Sequence, residues 1–116
     1  MAPERDLATV LDIVVAARRV LEFRGGLDFA AFTRDAKTQS AIIHQLLIIG
    51  EAAKRLSDGF RAASPRIPWD AIARMRDKMI HHYEGVDLRE VWQAAEKDVP
   101  VLLATLEPLL PSEQSS

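Results

Sequence analysis

A chain of 116 residues, 48% hydrophobic and 28% charged, has enough apolar surface for one folded core, so a single domain over residues 1–116 is expected. The absence of cysteine excludes a disulfide framework and any thiolate metal site. A formal net charge of −2 excludes a general surface field able to hold long nucleic acid, which leaves only a local group of cations or a second chain for that task.

Every segment reads at helical period, and none alternates at period two. Leu7, Val10, Leu11, Val14, Ala17 and Leu21 form one apolar face, and Gly25-Gly26 stops that helix. The connection "LDFAAFTRD" carries Phe29 and Phe32, and a short extra helix is expected near residues 28–33. In the next, long helix Ile42, Leu46, Ile49, Ala53, Leu56 and Phe60 make one stripe, which Ile43, Leu47 and Gly50 widen until more than one neighbour must cover it. That helix is expected to end near "SDGF", and the prolines of "SPRIPW" predict a stiff, extended connector. Asp70 is then placed to cap the helix that follows.

The last helix opens with Asp87 and, three residues on, Glu90, in the manner of a capping box. Leu88, Trp92, Ala95, Val99, Leu102, Leu106 and Leu109 continue one seam, with a bend expected at Pro100. The tail, residues 111–116, is polar and expected to fray. The fold class is all-α, an antiparallel bundle of four main helices. No apolar run reaches the roughly 18–20 residues that span a bilayer. The opening "MAPERDLATVLDIV" does not resemble a signal peptide, so a cytoplasmic protein without membrane contact is expected.

The stretch "RMRDKMIHHYEGVD" (residues 74–87) breaks the ordinary pattern. On a regular helix Trp69, Ile72, Met79, Ile80 and Tyr83 share one side, and Arg76 falls among them. A charge among apolar side chains is costly unless it is paired. Three readings are open: an arginine that snorkels or pairs with Glu51 on the neighbouring helix, a subunit-interface residue, or the lining of an anion-binding cleft. His81 lies about 140° round the helix from Arg76, in a polar stripe with Arg74, Asp77 and Lys78. Asp77 precedes His81 by four residues, close enough to orient the imidazole or raise its pKa.

The three histidines, His44, His81 and His82, lack metal-ligand spacing, so neither a metal site nor a cofactor is expected. A Gly-rich phosphate loop and a nucleophile elbow are also missing. What remains, an Arg, a His and a Tyr within eight residues, suits phosphodiester chemistry. A guanidinium can hold two phosphate oxygens, and an imidazole can move a proton near neutral pH.

"RDKMIHHY" also fits the Arg-x4-His-x-Tyr signature of the HepT-like proteins, a branch of the HEPN superfamily. "IIGEAAKRLS" (48–57), "IPWDAIARMRDKMIHHYEGVDLREVW" (67–92) and "DVPVLLATLEPLL" (98–110) resemble that family in order and spacing. The resemblance implies a HEPN-like bundle and a metal-independent endoribonuclease, the toxin of a toxin–antitoxin pair. Its partner would be a minimal nucleotidyltransferase. Arg76 and His81 would be the catalytic pair, and Tyr83 the site where the partner attaches AMP to silence the toxin. The family commonly has Asn after the arginine, where this chain has Asp77. It also forms a homodimer with the two motifs facing across a cleft, so Arg76 and His81 need not converge within one chain.

On this reading Arg76 binds and polarises the scissile phosphate of RNA, and His81 shuttles the proton. Asp77, Lys78, His82 and Glu51 are candidate supporting residues, Glu51 either orienting Arg76 or serving as a plain helix residue. The alternative is a non-catalytic helical dimer that docks a nucleotidyltransferase or senses a nucleotide.

Overall fold

The structure, a computed structural model, describes residues 4–81 and 85–111, with His81 described by its backbone alone. Helix α1 (Glu4–Arg24) stops where Gly25 takes a left-handed backbone, φ 51°, and its N–H still reaches Leu21 O at 3.0 Å. The expected short helix is present as α2 (Phe29–Thr33), capped by Asp28, whose side chain accepts from Ala31 N. Helix α3 (Ala36–Arg55) is capped by Asp35 through Thr38 N and Thr38 Oγ1.

The long helix ends sooner than its stripe suggests. Leu56 takes an extended backbone (φ −71°, ψ 146°), and Ser57, also extended, caps a new helix α4 (Asp58–Ala62) by accepting from Phe60 N. Phe60 therefore belongs to α4 and not to the α3 stripe. The cause is tertiary: the Asp6 carboxylate on α1 accepts from both Ser57 N (3.0 Å) and Ser57 Oγ (2.7 Å). A buried acid thus takes the amide that would have continued the ladder.

Two further expectations need correction. The proline connector is not extended, because Ile67 N–H donates to Ser64 O across a turn and the Trp69 indole N–H donates to Arg61 O and Ser64 O. Helix α5 (Trp69–His81) begins at Trp69, so Asp70 lies inside the first turn and is not the cap. Asp87 does cap α6 (Leu88–Gln93), accepting from Arg89 N at 2.9 Å. The reciprocal half of the box is replaced, for Glu90 accepts from Lys78 Nζ instead. At Pro100 the chain widens beforehand into a π turn, Ala94–Asp98, in which Val99 N–H reaches Ala94 O, before α7 (Val99–Leu106). Widening moves a carbonyl away from the proline ring, so the helical path continues through the imino acid.

These elements form an all-α, HEPN-like bundle, and the described residues include no strand. Asp6 at the start of α1 meets Ser57 past the end of α3, and Arg24 meets Glu96 where the earlier Arg18 meets Glu107, so α1 runs antiparallel to both α3 and α7. The most extensive packing is α1 on α3, followed by α3 on α5. The core lies between them, with Val10, Val14, Ala17, Ile42, Leu46 and Ile49 buried. Three seam residues go the other way: Leu11, Ile80 and Leu109 are each close to half exposed. None of the described helices is long and apolar enough to cross a membrane. The tail beyond residue 111 lies outside the described residues.

Candidate functional site

Helix α5 approaches α3 at one residue that has no side chain. A Cβ placed on Gly50 would overlap Arg76 Cβ and lie 2.7 Å from Arg76 Cγ. Only glycine lets the stem of Arg76 rest on α3 in this way. Ile72, one turn earlier, and Met79, one turn later, are buried and hold α5 in register. The arginine is thus fixed by its aliphatic stem, and its side chain is 24% exposed.

The guanidinium is held between two carboxylates. Arg76 Nη2 donates to Glu51 Oε2 at 2.5 Å, and Arg76 Nη1 donates to Asp77 Oδ1 at 3.1 Å. Lys54 Nζ donates to the same Asp77 oxygen at 2.8 Å. Hydrogen bonds from Lys54 first and Arg76 second hold the Asp77 carboxyl below its ordinary value, so it stays ionised at neutral pH. Of the readings open for Arg76, pairing with Glu51 is realised, and the arginine lines a groove as well.

That groove, about 600 Å³, runs between α1, α3 and α5. Its floor is apolar, with Val15, Leu47 and Ile48, and half-exposed Leu11 and Ile80 flank it. Its polar lining includes Arg19, Arg55, His44 and Glu51 besides Arg76. Arg55 pairs loosely with Asp12 at 3.4 Å.

The structure therefore brings together Glu51, Arg76 and Asp77. It places Lys78 apart from them, across a smaller cavity with its ammonium on Glu90 at 3.4 Å. The His81 side chain, His82 and Tyr83 lie outside the described residues. Asp77 accepts from Lys54 and Arg76, and its expected contact with His81 falls outside the described residues. Sequence reasoning also missed Lys54 and the purpose of Gly50. The signal for both was present in "GEAAK", where a glycine, an acid and a lysine share one side of α3. Among the described residues no group of three or more His, Asp or Glu side chains is placed to hold a metal ion.

Known proteins resemble this chain over most of its length. The family model "Ribonuclease HepT-like" matches residues 13–109. "Probable ribonuclease HepT" of Thermococcus cleftensis is 45% identical over 98 residues, covering 84% of this chain and 89% of the relative. "Putative RNase MJ0127" of Methanocaldococcus jannaschii is 36% identical over 109 residues, covering 93% of this chain and 90% of the relative. No solved structure matches. The match takes in α3 and α5 with Gly50, Glu51 and Arg76, and the chain belongs to the HepT-like ribonuclease family.

Proposed function

We propose that this protein is a metal-independent endoribonuclease in which Arg76 and His81 act on one phosphodiester. The observation that carries the reading is Arg76 itself, pinned by its stem on Gly50 with a partly exposed guanidinium at the edge of a groove. A guanidinium so held can stabilise charge as it develops on a phosphate without moving. His81, whose backbone lies five residues further along α5, supplies the proton transfer. Attack by the RNA 2′-hydroxyl on phosphorus breaks the bond to the 5′-oxygen, leaving a 2′,3′-cyclic phosphate and a protonated 5′-hydroxyl, and requires no metal ion.

The groove supports a homodimer. Leu11 at 47% and Ile80 at 46% exposure flank it, and a second copy packed there would bury both and bring a second Arg76 and His81 to a shared cleft. The single domain would then act as a cytoplasmic toxin. A cognate minimal nucleotidyltransferase silences it by attaching AMP to Tyr83, since the added phosphate repels RNA and occupies its space.

Purified protein incubated with total RNA tests this reading. Cleavage is expected in the presence of EDTA, yielding 2′,3′-cyclic ends, and Arg76→Ala and His81→Ala should each abolish it at unchanged helicity. Activity lost to EDTA and restored by magnesium refutes the mechanism, and a clean monomer in sedimentation refutes the shared cleft. A second reading, a non-catalytic module that docks a nucleotidyltransferase, draws support from the two carboxylates that neutralise Arg76 at rest. That module would bind its partner and leave RNA intact.

A further inference from the structure

Asp77 Oδ1 receives hydrogen bonds from two cations on different helices, Lys54 Nζ at 2.8 Å and Arg76 Nη1 at 3.1 Å. An oxygen anion between an ammonium and a guanidinium is what a phosphate oxygen would be in a nucleic-acid complex. We propose that Lys54 and Arg76 form a two-cation seat for one RNA phosphate and that the Asp77 carboxylate occupies this seat until RNA displaces it. The proposal rests on the reading of Arg76 as a phosphate-binding residue and adds to it a second contact residue and an internal competitor.

Three observations support an exchange at this seat. The arginine cannot withdraw, because its Cβ and Cγ rest on Gly50. The carboxylates can, since the Asp77 side chain is 48% exposed and that of Glu51 is 53% exposed. Lys54 is 40% exposed in the last turn of α3, so its long side chain can follow an incoming anion when Asp77 releases it. The charges of Lys54, Arg76, Glu51 and Asp77 cancel at rest, so the seat draws no anion until one carboxylate leaves. Once Asp77 turns out, the site carries a net positive charge. Asp77 also precedes His81 by four residues, about one turn of α5.

The test uses the full chain and a fluorescein-labelled 2′-O-methyl oligonucleotide of mixed sequence, which cannot be cleaved through its 2′ position. Binding is followed by anisotropy between 50 and 300 mM salt, with the thermal midpoint of each variant measured alongside. Lys54→Gln should weaken binding about fivefold at 0.1 M salt and reduce the slope of log K against log salt by about 0.7, the value of one phosphate contact on a single strand. Lys54→Arg should restore both. Asp77→Asn should bind about two- to fivefold more tightly, the size of an exposed ion pair that no longer has to be broken.

An unchanged salt slope in Lys54→Gln overturns the proposal. So does an Asp77→Asn protein that binds no more tightly while its midpoint falls, because Asp77 would then be only a staple between α3 and α5. If Arg76→Ala abolishes binding and cleavage while the Lys54 and Asp77 variants match wild type, the nuclease reading stands and the two-cation seat falls. If the wild type neither binds the oligonucleotide nor cleaves RNA, both fall.

Discussion

Two aspartates flank the C-terminal half of α3, each accepting two hydrogen bonds of similar length. Asp6 takes Ser57 N and Ser57 Oγ at 3.0 and 2.7 Å, and Asp77 takes Lys54 Nζ and Arg76 Nη1 at 2.8 and 3.1 Å. Both carboxyls are held below their ordinary value, Asp6 by the Ser57 side chain and then its amide, Asp77 by Lys54 and then Arg76. They differ in depth. Asp6 is 1% exposed and its donors are neutral, whereas the Asp77 side chain is 48% exposed and its donors are cations. A buried acid whose neutral partners are themselves partly covered meets little competition from water, and it acts as a lock that ends one helix and starts another. An exposed acid on cations competes with every other anion and acts as an occupant that can be replaced.

The largest effect is expected where the second region depends on backbone proximity. Gly50→Ala should lower the thermal midpoint by about 15 °C and remove RNA cleavage, because the new Cβ pushes Arg76 and α5 off α3. Gly59, where a Cβ would meet nothing within 4 Å, is the matched control, and Gly59→Ala should leave the midpoint unchanged or raise it slightly. Calorimetry of the pair decides this, and equal midpoints would mean that α5 does not need the close approach.

The lock comes next. Asp6→Asn should lower the midpoint at pH 7 by about 8 °C, because a neutral amide accepts more weakly and brings a buried donor that needs a partner. The sign of the pH effect follows from the depressed carboxyl. Its stabilisation is complete above the unfolded value of about 3.9 and is lost as pH falls through the lower folded value. Denaturation curves between pH 2 and 6 should therefore converge for wild type and Asp6→Asn at the acid end. Curves that stay parallel would remove Asp6 as a source of acid sensitivity.

The occupant should matter little to stability. Asp77→Asn is expected to move the midpoint by no more than about 3 °C at pH 7, as suits an exposed ion pair. A loss as large as that of Asp6→Asn would erase the contrast between the two acids. The smallest effect is expected at Asp98, in the π turn, where burial raises the carboxyl above its ordinary value. Here the sign reverses: stability is greatest below the unfolded value and falls as pH rises through the folded one. Asp98→Asn should thus raise the midpoint by about 1–3 °C at pH 7 and leave it unchanged near pH 3, as a fluorescence melt at both pH values would record.

The amino-acid pattern alone was enough to read an all-α bundle and most of its core. Ile42, Leu46, Ile49 and Ala53 on α3, and Trp92, Ala95, Val99, Leu102 and Leu106 near the end, repeat at helical spacing and are buried as that spacing requires. The local stops at Gly25 and Asp87 were legible for the same reason, since each acts within a turn of its own position. Arg76 was also conspicuous, because a charge in an apolar arc is visible without coordinates. Tertiary structure alone decided the rest. The α3 stripe carries through Phe60 at perfect period, yet Asp6, fifty-one residues before Ser57, ends the helix by taking its amide. Nothing in the spacing along α5 pointed to Lys54, which donates to Asp77 from another helix. Periodicity records which residues share a face of one helix. It holds no record of which face of another helix comes to lie opposite, and the lock, the close approach at Gly50 and the two-cation seat all arise from that meeting.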